Sequence, residues 1–103
     1  MEVDTLARQL WTIGDATRLR ILAMLPTAPD CQHRANVSQL AEALGLSQPT
    51  VSNHLARLRT LGIVKHSRIC RDVYYWIDPD LAEEIVENLR SALKICNTPT
   101  VSK

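Results

Sequence analysis

The amino-acid sequence predicts a mainly α-helical domain with a small β-hairpin, in which four helical segments precede the hairpin and a fifth follows it. Apolar residues recur at helical spacing in those five segments, and between Ile63 and Ile77 the pattern changes to the alternation expected of strands. Residues that start or stop helices stand at the junctions.

Val3, Leu6, Leu10 and Ile13 share one helical stripe, and Gly14 is expected to close this first helix in a left-handed conformation. Asp15 then reads as the N-cap of a second helix carrying Leu19, Ile21, Leu22 and Leu25, which Pro26 ends because its ring cannot continue the hydrogen-bond ladder. Thr27 to Arg34, with Pro29, reads as a loop.

Asn36 with Gln39 three residues on forms a capping-box pattern ahead of Val37, Leu40, Ala41 and Leu44, which sit at i, i+3, i+4 and i+7. Gly45 closes this third helix, Leu46 plugs the turn, and Ser47 caps a fourth helix with Val51, Leu55, Leu58 and Leu61 on one face. Two helices joined by a short glycine-containing turn form the helix-turn-helix pattern. After Gly62, Ile63 to Ile69 and Asp72 to Ile77 read as strands, with Val73, Tyr75 and Ile77 on one face and Tyr74 and Trp76 on the other. Their join at Cys70 and Arg71 is tight but lacks glycine, which leaves the turn geometry open. Pro79 opens a last helix in which Leu81, Ile85, Leu89, Ala92 and Cys96 line one side. The expected organisation is one domain over residues 1–96 and a flexible tail over 97–103.

Composition narrows the function classes. The 103 residues fit one core, and no apolar run approaches the ~20 residues of a membrane span. Glu2, Asp4 and Arg8 stand where a signal peptide would be apolar, so a cytoplasmic chain without a membrane partner is expected. Three widely spaced cysteines do not make a paired framework, and reduced thiols are the default. Net charge is only +1, but its distribution is uneven. Ser47 to Arg71 holds Arg57, Arg59, Lys65, Arg68 and Arg71 and no acidic residue, whereas the next stretch, to Arg90, holds Asp72, Asp78, Asp80, Glu83, Glu84 and Glu87 against Arg90 alone. One basic surface facing phosphates is the expectation.

In a helix-turn-helix the second helix enters the major groove of DNA. Its outward positions here are Gln48, Thr50, Ser52, Asn53 and Arg57, opposite Val51, Leu55 and Leu58. Gln and Asn pair bidentately with adenine, Thr can touch a thymine methyl or a phosphate, and Arg57 and Arg59 lie further along, where the phosphate walls of the groove run. Ser47 at the helix start adds free N–H groups that suit a phosphate, and Lys65, Arg68 and Arg71 are expected to form a basic wing. His54 lies on the same helix and reads as a DNA contact or a partly exposed surface residue. No catalytic set is expected, because neither Cys31 with His33 nor Cys70 with His66 has an orienting acid at plausible spacing. A winged-helix module that only contacts proteins, with structural cysteines, is the alternative.

The segments GDATRLRILAML, NVSQLAEALGLSQPTVSNHLARLRTLGIV and CRDVYYWID, in that order, resemble the ArsR/SmtB family of winged helix-turn-helix, metal-responsive repressors over roughly Val3 to Leu93. The resemblance implies a homodimer paired through its first and last helices, here Leu6, Leu10 and Ile13 with Leu81, Ile85 and Leu89, that binds double-stranded DNA at an inverted repeat and releases it on induction. It requires no cofactor for DNA binding. The family's sensor positions depart from pattern: the cysteine pair on the third helix falls at Asn36 and Ser38, and the zinc-type site on the last helix at Pro79, Leu81, Ala92 and Ile95. The remaining candidates for a thiophilic metal(loid) ion or an oxidant are Cys31 and Cys70, with Cys96 a weaker third that equally completes an apolar stripe.

Overall fold

Four helices begin where a short polar side chain satisfies a free N–H of the first turn: Asp15, Asn36, Ser47 and Asp78 accept from Arg18, Gln39, Thr50 and Asp80. The computed structural model describes residues 2–29 and 35–95. They fold as α1 (Val3–Ile13), α2 (Ala16–Met24), α3 (Val37–Leu44), α4 (Gln48–Leu61), β1 (Val64–Ile69), β2 (Asp72–Ile77) and α5 (Pro79–Ala92). Cys31, His33, Cys96 and the tail expected over 97–103 lie outside the described residues.

The caps also join elements. Asn36 Oδ1 accepts from Gln39 N at 2.7 Å while Gln39 Oε1 accepts from Asn36 N at 3.2 Å, which completes the capping box. The same side chain donates from Nδ2 to Asp72 Oδ2 at 2.7 Å, tying the start of α3 to the start of β2.

Two expectations need correction. Gly14 has φ −74°, so it is not left-handed; a Cβ there would lie 2.9 Å from the Leu10 carbonyl oxygen, and the close approach explains the glycine. Gly45 and Gly62 do take positive φ, 68° and 98°, at the ends of α3 and α4. On α2, Leu19 is 49% exposed, and its expected place on the buried stripe belongs to Arg18, which is 6% exposed. Arg18, Ile21, Leu22 and Leu25 therefore form the i, i+3, i+4, i+7 face that turns inward.

Helix α4 is the centre of the packing, with α1, α2, α3 and β1 against it. Ile21, Leu40, Val51, Leu55 and Leu58 are the largest side chains fully removed from solvent. Leu6 from α1 and Ile85 from α5 join this core, so both are used up inside the protomer rather than offered to a partner. Leu10, Ile13, Leu81 and Leu89 are half-buried.

The hairpin is antiparallel, pairing Val64 with Ile77 through Ile69 with Asp72. Cys70 and Arg71 make its two-residue turn with φ 53° and 78°. Positive φ at both positions gives the turn a twist that matches the strands, so the geometry is reached without glycine. On its other side β2 donates from Tyr75 N to Ala35 O at 3.1 Å and from Ile77 N to Pro26 O at 2.8 Å. Tyr74, rather than Tyr75 or Trp76, is the aromatic side chain of β2 that is buried.

Candidate nucleic-acid interface

The outward face of α4 follows from its period. With Val51, Leu55 and Leu58 locked in the core, Gln48, Ser52, Asn53 and Arg57 are exposed, and Thr50 is half-buried. Ser47 Oγ accepts from Thr50 N at 3.3 Å and shares a 2.8 Å hydroxyl contact with Thr50 Oγ1, so both residues are engaged in shaping the helix start. Gln48 Nε2 donates to Ser38 Oγ on α3 at 3.0 Å. That bond links the two helices of the helix-turn-helix across their turn, and Gln48 must release it to use its amide elsewhere.

The basic residues of the hairpin do not form one surface. Side chains opposite each other in register share a face, so Lys65 lies with Trp76 while Arg68 lies with Val73 on the other side. Lys65 Nζ stands 3.8 Å from Asp78 Oδ2 near the base of the hairpin. Arg68 Nη1 donates to the Arg71 carbonyl at 3.4 Å, so these two exposed arginines cluster at the tip with Cys70 exposed between them. His66 stacks on Tyr75, with ring centroids 5.5 Å apart, and thereby covers the strand face that carries Arg68.

Behind α4 stands a group that sequence reasoning placed wrongly or left out. The Arg18 guanidinium donates from Nε to the Thr12 carbonyl and from Nη1 to His54 Nδ1 at 3.3 Å, and its Cζ lies 5.7 Å from the Trp11 ring centroid. One buried cation therefore fastens the end of α1 to α4 through the half-buried His54. The Arg18 backbone N–H, donated to the Asp15 carboxylate, is the largest cause holding Asp15 below its ordinary pKa of 3.8; the Arg18 charge adds to the lowering and burial opposes it. The available signal was the period of α2, which places residue 18, not residue 19, in line with Ile21, Leu22 and Leu25.

The sensor positions implied by the family resemblance do not fit a metal ion. Asn36 is committed to Gln39 and Asp72, Ser38 accepts from Gln48, and Pro79, Leu81, Ala92 and Ile95 offer no ligating side chain. Among the described residues no three His, Cys, Asp or Glu side chains gather as a metal site. No helix among them is long and apolar enough to cross a membrane.

A short helix, a glycine turn, a polar-faced second helix and an antiparallel hairpin after it define a winged helix-turn-helix regulator fold. The sequence profile described as "Bacterial regulatory protein, arsR family" matches residues 15–66, and the chain belongs to that family. It is 32% identical over 81 residues to the arsenic resistance transcriptional regulator ArsR1 of Pseudomonas putida, covering 79% of this chain and 60% of that one. The chain thus spans about 60% of that relative's length. The transcriptional repressor PagR of Bacillus anthracis is 33% identical over 90 residues, covering 86% of this chain and 85% of PagR. The crystal structure of PagR superposes with a TM-score of 0.62 at 32% identity, covering 84% of this chain and 94% of that one. A homodimeric winged helix-turn-helix DNA-binding domain from Mycobacterium bovis shares the fold, with a TM-score of 0.65 at 24% identity over 98% of this chain and 90% of its own.

Proposed function

We propose that the protein is a transcriptional repressor that binds double-stranded DNA as a homodimer and lays α4 in the major groove. The observation that carries this reading is the division of α4: Val51, Leu55 and Leu58 are buried while Ser52, Asn53 and Arg57 stand in solvent with no hydrogen-bond or ion-pair partner among the described residues. Those are side chains suited to base edges and phosphates. The acid-free stretch from Ser47 to Arg71 places no carboxylate on this helix, and at the hairpin tip Arg68 and Arg71 outnumber Asp72, whose carboxylate accepts from Asn36.

The homodimer pairs through α1 and α5. Val3 on α1, Val86 on α5 and Leu93 after it are exposed apolar residues that can join half-buried Leu10, Ile13, Leu81 and Leu89 in such an interface. Two copies of α4 related by a two-fold axis read half-sites about one DNA turn, roughly 34 Å, apart. Release by a thiol-reactive signal, arsenite or another soft ion or an oxidant, uses Cys31 and Cys70, with Cys96 as a third candidate. What supports the Cys70 assignment is its exposed place in the two-residue turn of the hairpin, where a soft ion or an oxidant can reach the sulfur.

Band shifts with duplexes selected from a random pool test the DNA reading. The expected outcome is an inverted repeat and an affinity that falls linearly with salt on logarithmic axes. Absence of duplex binding, or a flat salt response, overturns it in favour of a protein-contact module. Cys31→Ser and Cys70→Ser are each expected to retain duplex binding and to lose dissociation by arsenite or peroxide; full response in the double variant removes the thiol assignment.

A further inference from the structure

Beside the outward face of α4 runs an open groove of about 720 Å³, walled by α1 on one side and α4 on the other. Helical spacing aligns its lining: Arg8 and Trp11 are three apart on α1, and Asn53, Ala56, Arg57 and Thr60 fall at i, i+3, i+4 and i+7 on α4. Ala56 is small enough to leave the floor open between its longer neighbours. Arg8 and Arg57 bring two guanidinium groups to the lining, which carries no carboxylate, and neither guanidinium has a hydrogen-bond or ion-pair partner among the described residues. Trp11 is 71% exposed, yet Arg18 standing over its ring restrains the indole from the protein side.

We propose that this groove binds a planar aromatic carboxylate and that its occupancy competes with DNA. A guanidinium holds a carboxylate through two parallel N–H···O bonds, and an indole face takes an aromatic ring by stacking. Both groups line one groove here, and its volume lies in the range that accommodates small organic ligands. Two cations without a carboxylate favour an anionic ligand over a neutral one. The competitive part rests on the DNA-binding reading above, because Asn53 and Arg57 line the groove and also belong to the face assigned to DNA. A ligand carboxylate on Arg57 replaces a phosphate at the same guanidinium, and linkage then requires DNA to weaken the ligand by the same factor.

The test is a titration of DNA-free, 15N-labelled protein with 2-naphthoate, following the indole N–H signals of Trp11 and Trp76. Saturable movement at Trp11 is expected, with the neutral 2-naphthamide and the Arg8→Gln variant each weakening the response by about tenfold, the scale of one lost charge-assisted contact. Movement confined to Trp76, a non-saturating response, equal binding of the amide, or an unaltered affinity in Arg8→Gln overturns the site. In a second arm 2-naphthoate is expected to dissociate the selected duplex, and independent binding of the two overturns the competition. Failure of duplex binding itself would already be seen in the salt series without naphthoate, so the two readings fail separately.

Discussion

Arg18 Nη1 lies 3.3 Å from His54 Nδ1, and this contact joins the buried face of α2 to the helix that carries the DNA-facing residues. Arginine has only donors, so in this hydrogen bond His54 Nδ1 is the acceptor. Truncation of Arg18 to Ala also frees the Thr12 carbonyl, and a loss of roughly 2–3 kcal/mol in urea unfolding is expected from the buried groups left unpaired. His54→Ala alone should cost less. The double variant is expected to be non-additive by at least about 0.5 kcal/mol, and strict additivity would show that the two side chains do not interact.

Asp15 gives the same region a pH dependence. Its carboxyl is held below the ordinary value of 3.8, chiefly by the Arg18 backbone N–H, so the ionised form is favoured in the folded chain. A depressed carboxylate contributes stability that is present above the unfolded value and is lost as pH falls through the lowered folded one. Asp15→Asn keeps a good N-cap and removes the titration. Thermal melts below about pH 4 are expected to fall less steeply for Asp15→Asn than for the parent chain; parallel curves would remove Asp15 from the acid limb.

Asn36→Ala should cost about 1–2 kcal/mol, at the upper end for a helix cap, because the same side chain holds Asp72. Asp72→Ala should lose the part that reaches the hairpin and leave the α3 cap intact, so its cost in chemical denaturation is expected to be smaller. An Asp72→Ala loss as large as that of Asn36→Ala would show that the cap contributes little.

At the hairpin turn, Arg71 holds φ 78°, where a side chain is strained and glycine is not. Arg71→Gly is expected to stabilise the fold by about 1 kcal/mol, read as a higher midpoint in urea, while weakening duplex binding through the lost cation. A lower midpoint would contradict the left-handed turn.

For DNA recognition, Gln48→Ala and Asn53→Ala are expected to relax base preference, and Arg57→Ala to weaken all sequences alike and reduce the salt slope by about one. Quantitative band shifts on matched and mismatched duplexes separate these effects. Gln48 carries the additional bond to Ser38, so Ser38→Ala should strengthen or leave unchanged the affinity by releasing the amide. Marked weakening in Ser38→Ala would show that the bond instead sets the helix-turn-helix geometry.

The helices were legible because their marks are local. Asp15, Asn36, Gln39, Gly45 and Ser47 each act within a few residues of their own position, and the pattern of apolar residues fixed the inward face of α4. The misreadings came where the deciding contact is distant or polar. Arg18 breaks the rule that inward residues are apolar because its guanidinium meets a carbonyl from α1 and an imidazole from α4, neither visible in the period of α2. Leu6 and Ile85 read as interface residues because a single stripe cannot tell a core face from an interface; the packing of α1 against α5 and their burial within the protomer decide it. Lys65 and Arg68 read as one basic wing until register put them on opposite faces.

Strand β2 spends the backbone donors that point away from β1 on Pro26, Ala35 and the Asp72 side chain. Sheets grow by recruiting exposed edges, and this one has been filled from within the same chain. The remaining edge, along β1, carries Lys65 and Arg68, charges that discourage a second strand from settling there. The small β element thereby offers a foreign strand little to pair with on either side.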